Sequence, residues 1–113
     1  MKDYVSPGCL AGDEPSLAAL VVAHFYGVTV EDLRAGTRKG PRAAFARQIA
    51  MYLMHVVYRQ TMAEVAREFH RDRSTAAHAC HRVEDLRDDP SFDRHLSLIE
   101  NLLREAAHIR RAA

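Results

Sequence analysis

Residues 61–86, TMAEVAREFHRDRSTAAHACHRVEDL, decide how this chain reads. Thr61 stands three residues before Glu64, the spacing of a capping box, so a helix is expected to begin there. Met62, Val65, Ala66 and Phe69 follow at three- and four-residue steps and give that helix one apolar face. A tight connection, His70 to Arg73, leads to a second helix expected over Ser74 to Leu86. On it Ala76, Ala79, Cys80, Val83 and Leu86 form an inward stripe, while Ser74, Thr75, His78, His81, Arg82 and Asp85 point away. Small inward residues, Ala66 among them, allow the two helices to approach closely. A short helix, a tight turn and a longer helix in these proportions make a helix-turn-helix, whose second helix lies in the major groove of DNA.

The outward residues suit that task. Serine and threonine at a helix start come close to base edges, and the threonine methyl can touch the methyl of thymine. Arg71, Asp72 and Arg73 stand just ahead of the helix. Asp72 carries two readings, as the N-cap of the helix or as an acceptor for a cytosine amino group.

Outward from this unit the chain remains helical. Its one β-branched cluster, Val28-Thr29-Val30, is too short for a strand signal, so the class is all-α with about six helices. Pro15 and Ser16 open a helix with Leu17, Leu20, Val21 and His24 or Phe25 on its packed side, ended by Gly27. Thr29 caps a short helix, Val30 to Ala35. Gly36-Thr37-Arg38-Lys39-Gly40-Pro41-Arg42 reads as an exposed basic loop. A core helix then runs from Ala43 to Tyr58 on Phe45, Ile49, Tyr52, Leu53 and Val56, with Met51 and Met54 as filler or flank. After Asp88-Asp89-Pro90 a packing helix repeats Leu96, Ile99, Leu103 and Ala106, widened by Leu98, Leu102 and Ile109; its partner is the domain itself or a second copy. The expected organisation is a flexible tail over 1–13, one domain over 14–108 and a fraying tail over 109–113.

Composition sets the bounds. A chain of 113 residues with 48% apolar and 27% charged residues is one globular domain's worth. Its uncharged apolar runs, such as Leu17 to Phe25, fall short of the ~20 residues a bilayer crossing needs, so no membrane partner is expected. The net charge of +1 disguises a strong asymmetry: residues 34–83 hold ten cations and three acids, net +7, between ends of −4 and −2. Cys9 and Cys80 lie far apart in a chain without a secretory signal, which points to free thiols in a cytoplasmic protein. Cys80 reads as core. His78, Cys80 and His81 lack the second ligand pair that structural zinc wants, so no metal or cofactor is expected. Nor is an enzyme or a small-molecule substrate, because no serine or histidine has an orienting third group.

The residues also carry a family resemblance. Val22-Ala23-His24-Phe25-Tyr26, Val30-Glu31-Asp32-Leu33, Arg47 to Leu53, Glu64-Val65, Phe69 and above all Arg71-Asp72-Arg73-Ser74-Thr75-Ala76-Ala77-His78-Ala79-Cys80 follow one another in order. Together they resemble the C-terminal DNA-binding domain of the bacterial replication initiator DnaA, over more than half of the chain. The last run is similar to that family's signature Arg-Asp-His-Thr-Thr-x-x-His-Ala. The resemblance implies a compact, Trp-repressor-like helical fold. It implies that Arg71, Asp72, Arg73, Ser74 and Thr75 face bases or nearby phosphates of a DnaA box and that His78 faces the backbone. Arg38, Lys39, Arg42 and Arg47 would supply phosphate or minor-groove contacts, and Thr61, with Met62 and Ala63, at the start of the first motif helix, would touch the backbone. Arg82, on the outward side of the second helix, completes the set of candidate DNA-binding residues.

The departures from the family pattern bear on specificity. Arg73 and Ser74 stand where the signature has His and Thr, and one residue is missing between Phe69 and Arg71, where the family has two glycines. The minor-groove arginine of the family's basic loop falls on Phe45. No Gly-x-x-x-x-Gly-Lys pattern is present, so ATPase activity is not expected. The resemblance therefore implies a double-stranded DNA-binding regulator of replication initiation, or of transcription, associated with the nucleoid. The acidic ends keep a second reading open, in which the chain acts by contact with DnaA or one of its regulatory proteins.

Overall fold

A computed structural model describes residues 16–35 and 40–112, with side chains through Ile109. These residues form α1 (Leu17–Tyr26), α2 (Val30–Arg34), α3 (Gly40–Tyr58), α4 (Met62–Glu68), α5 (Arg73–Leu86) and α6 (Pro90–Ala112), with no strand among them. The central element is α3, which packs against all five other helices.

Local chemistry sets most boundaries. The buried Ser16 hydroxyl accepts the Ala19 N–H at 3.1 Å to start α1, and Gly27 ends it in the left-handed region at φ +67°. Thr29 with Asp32 and Thr61 with Glu64 form reciprocal capping boxes at the starts of α2 and α4. Between α4 and α5 the His70 N–H donates to the Arg67 carbonyl at 3.3 Å and the Arg71 N–H to the Ala66 carbonyl at 2.9 Å. This is a Schellman closure, in which the residue usually glycine is His70, held at φ +56°.

Four expectations need correction. The packed side of α1 is only partly the expected one: Leu17 and Val21 are half-buried against the core, but Leu20, His24 and Phe25 are exposed and the fully buried residues are Ala18, Ala19, Val22 and Ala23. The helix is apolar almost all round, so periodicity does not choose a face; the alanines win because they let α1 lie close to α3. The basic loop is shorter than Gly36 to Arg42, since Gly40, at φ +87°, and Pro41 already belong to the first turn of α3, where proline's missing N–H is harmless. Within α3 the core residues are Ala46, Ile49, Ala50, Met51, Tyr52, Leu53 and Met54, with Phe45 and Val56 only partly covered. On α6 the buried set is Leu96, Ile99, Leu103 and Ala107; Leu98, Leu102 and Ile109 face outward rather than widening the stripe. The helix runs to Ala112.

The helix-turn-helix is seated on the core through Phe69, Val65, Ala76 and Val83, all without exposed surface. Losing such contacts is costly: truncating a buried phenylalanine takes about 3 to 5 kcal/mol. The orientation of α5 is therefore set by packing behind it, and its other side is left open.

Candidate nucleic-acid interface

Ser74, Thr75, His78 and Arg82 are exposed along one side of α5, opposite the buried Ala76, Ala79, Cys80 and Val83, and Arg73 is exposed as the first residue of the helix. Asp72 is the N-cap of this helix. Its Oδ1 accepts the Thr75 N–H at 2.8 Å and the Ser74 hydroxyl at 2.9 Å. These bonds, the Thr75 backbone N–H foremost, hold the exposed carboxyl below its ordinary range. The Ser74 proton is thereby committed to Asp72, leaving the hydroxyl's lone pairs for an incoming group. The Thr75 side chain also bonds to the Asp72 carboxyl, which leaves its methyl for the outside.

The arginines divide by use. The Arg47 Nε donates to the Leu33 carbonyl at 2.6 Å and its Nη2 to the Asp32 carbonyl at 3.4 Å. Arg71 donates from Nη1 to the Phe69 carbonyl at 2.9 Å and from Nη2 to the Ala35 carbonyl at 2.8 Å. Both side chains thus satisfy carbonyls at the end of α2 and the end of α4, groups a helix terminus leaves unpaired. Burial, and then the charge of Arg71, lowers the basicity of Arg47. Arg42 is exposed in the first turn of α3, with Nη1 3.7 Å from where a Cβ on Gly27 would stand. Thr61 is exposed at the start of α4, its side-chain oxygen accepting the Glu64 N–H at 3.1 Å. Arg38 and Lys39 lie outside the described residues.

Two groups of residues escape the reading by motif. Arg67 and His70 line an open cradle of about 420 Å³ with Ala63, Ala66, Arg71 and Arg73, beside the start of α5. The available signal was the position of Arg67, off the apolar stripe of α4. At the far end of α5, Arg87 donates from Nε to Asp93 Oδ1 at 2.6 Å and from Nη1 to Glu100 Oε2 at 2.9 Å and the Tyr52 hydroxyl at 3.0 Å. Its Nη2 donates to the Ser97 hydroxyl at 2.8 Å. Burial opposes the charge there, but the bonds to Asp93, Glu100 and Tyr52 outweigh it and raise the basicity of Arg87 above its ordinary value.

Two further positions bear on the expected chemistry. Phe45 stacks edge-on against Tyr26, with ring centres 5.9 Å apart, and tilts against Phe92 at 6.1 Å, so this position belongs to an aromatic cluster. Cys80 is buried, and burial followed by the Glu84 charge pushes its thiol up to about 11, so it is protonated at neutral pH. Among the described residues no group of three or more His, Cys, Asp or Glu is placed to hold a metal ion.

The comparisons with known proteins agree with this geometry. A family model described as the bacterial DnaA protein helix-turn-helix matches residues 18–83. The chromosomal replication initiator protein DnaA of Desulfotalea psychrophila is 31% identical over 99 residues, covering 87% of this chain and 20% of that protein. The protein of the same name from Bartonella quintana is 35% identical over 88 residues, covering 76% of this chain and 18% of its own length. Among solved structures, the replication initiator DnaA bound to AMPPCP and single-stranded DNA aligns with a TM-score of 0.71 at 33% identity, covering 80% of this chain and 27% of that one. The chain thus spans about a fifth of the length of the curated relatives it matches.

Proposed function

The chain belongs to the bacterial DnaA helix-turn-helix family, and on that premise we propose that it binds double-stranded DNA at DnaA-box-like sites through α4 and α5 to regulate replication initiation. The observation that carries this reading is the open side of α5. Ser74, Thr75, His78 and Arg82 stand there in exposed positions, with Arg73 exposed at the helix start, on a helix whose other side is anchored in the core. In this reading Ser74 and Thr75 meet base edges in the major groove, and Arg73 contacts a base or an adjacent phosphate. Arg82, His78, Arg42 and Thr61, with Arg38 and Lys39 just before α3 in sequence, supply backbone contacts. Arg47 and Arg71 act at one remove: Arg47 ties the end of α2 to α3, and Arg71 ties the residue after α2 to the turn that carries α5.

The aromatic packing of Phe45 bears on specificity. With that position occupied by an apolar side chain inside a cluster, the reading has a weaker minor-groove contribution and a preference carried mainly by α5. The same observation supports a second reading, in which the fold is kept while contact with DnaA or one of its regulators does the regulatory work.

Titrating a fluorescent duplex carrying a DnaA box, and a scrambled duplex of equal length, separates the two readings. The first expects tighter binding to the box and a slope of roughly −4 to −5 in log affinity against log salt, for four to six phosphate contacts. No duplex binding at low salt, with a replication protein recovered by pull-down after nuclease treatment, would select the second.

A further inference from the structure

The outward face of α6 is apolar where a helix facing only water would be polar. Leu98, Leu102 and Ile109 are 55%, 48% and 59% exposed, on a helix whose opposite side, Leu96, Ile99, Leu103 and Ala107, is already buried in the core. Together with Ser91, His95 and Glu105 they recur at steps of four, three, four, three and four residues, the heptad spacing of a seam along which one helix pairs with another. Exposed leucines scattered singly are ordinary on a protein surface, but a seam of this period along one helix is not. Phe25, itself exposed and with its ring centre 6.2 Å from that of His95, borders it. The seam lies beyond residues 18–83, the stretch that the family model matches.

We propose that this seam pairs with the same seam of a second copy of the chain, the two α6 helices running antiparallel. Charge along the seam selects that arrangement. A parallel pair in register sets each Glu105 against its own copy, and like charges in contact are costly. An antiparallel pair with Leu98 of each chain against Leu102 of the other sets His95 of each chain opposite Glu105 of the other, with the exposed Arg94 alongside. Slipping this register by one heptad puts Leu102 against Glu105 in one direction and against Ser91 in the other, so the leucine pairing is lost. Tyr26 holds the His95 ring through a 3.0 Å bond at Nε2; with the tyrosine O–H as donor, the ring proton sits on Nδ1 and can be donated to a carboxylate. The same patch serves on both chains, so the pairing closes at two copies. One helix face is at the small end of specific interfaces, which sets the association in the micromolar range. Self-association stands without the DNA reading of α5; on that reading it joins two α5 helices in one particle and tightens binding to paired boxes.

The test is the mass of the full chain by sedimentation equilibrium, without DNA, from low to several hundred micromolar. The expected mass climbs from 12.7 kDa toward twice that value. Leu102→Glu is expected to weaken the pairing at least about tenfold, and Leu98→Gln, a milder change at the neighbouring position, to weaken it in the same direction. Both positions are exposed, so each variant should melt like the unaltered protein at concentrations where all are monomers. Glu105→Lys reads the direction of the helices. In the antiparallel seam the new lysine meets Arg94 and His95 of the other copy, and pairing is expected to weaken about fivefold. In a parallel seam one like-charge pair replaces another and the strength is unchanged. A mass that stays at 12.7 kDa over the whole range would overturn the proposal, as would a dimer that neither Leu102→Glu nor Leu98→Gln weakens. Pairing of Glu105→Lys as strong as that of the unaltered protein would overturn the antiparallel arrangement.

Discussion

The two ends of α5 carry the same side chain to opposite purposes. At the start, Arg73 is exposed with an unencumbered guanidinium beside Ser74 and Thr75. At the end, Arg87 is locked by Asp93, Ser97, Glu100 and Tyr52, which ties the helix to α3 and α6. One end is anchored and the other is presented. In the proposed DNA reading an exposed helix start serves best when the helix is held from tilting, and Arg87 ties the far end to α3 and α6. The comparison teaches that charge alone does not mark a binding residue; what matters is whether the fold has already given it a partner.

Breaking the anchored end should have the largest effect. Arg87→Ala leaves Glu100, 15% exposed, without its cation, while Asp93 at 46% exposed is largely rescued by water. After allowing for that screening, the expected loss is about 2 to 4 kcal/mol in chemical denaturation. The box-to-scrambled affinity ratio of the molecules still folded should be little changed. An equal loss of that ratio without loss of stability would mean that the joint belongs to the reading surface.

Breaking the presented end should do the reverse. Thr75→Ala removes a hydroxyl and a methyl but keeps the backbone N–H that Asp72 holds. It is expected to cost roughly 1 to 3 kcal/mol on the preferred duplex, less on others, and little in stability. Equal loss on random DNA would count against base reading.

A smaller effect sharpens the comparison at the turn before α5. His70 is held at φ +56°, where a side chain is disfavoured. His70→Gly is expected to raise stability by about 1 kcal/mol in denaturant titration. A loss instead would show that the imidazole contributes more to the folded state than the backbone strain costs.

The smallest effect is a pH dependence at the N-cap. The folded Asp72 carboxyl titrates below its unfolded value, so its stabilising contribution is full above the unfolded carboxylate range and is lost as pH falls through the lowered folded value. Asp72→Asn can still cap but does not titrate there. The difference in melting between the two proteins should therefore change between neutral and acid pH, with Asp72 relatively weaker in acid.

Local rules made much of this legible in advance. Thr61 and Glu64, Thr29 and Asp32, and Gly27 announce helix ends because caps act within a few residues. The open and buried sides of α5 follow from periodicity, since polar and apolar residues there are cleanly separated. In α1 they are not, and the choice of the alanine face depends on how closely α3 approaches. The fates of Arg47, Arg71 and Arg87 were hidden for a similar reason. Each bonds to carbonyls or acids that only the tertiary fold brings near, such as Ala35, 36 residues from Arg71. Counting charge along the chain marks a basic band, but cannot say which of its arginines already hold bonds within the fold.

The most direct test of DNA reading by the presented end of α5 is selection of bound sequences from a random duplex pool, run in parallel with the unaltered protein and Thr75→Ala. The account predicts a consensus related to the DnaA box for the unaltered protein, with information lost at one position for the variant. Recovery of duplexes with no enriched sequence from the unaltered protein would contradict it.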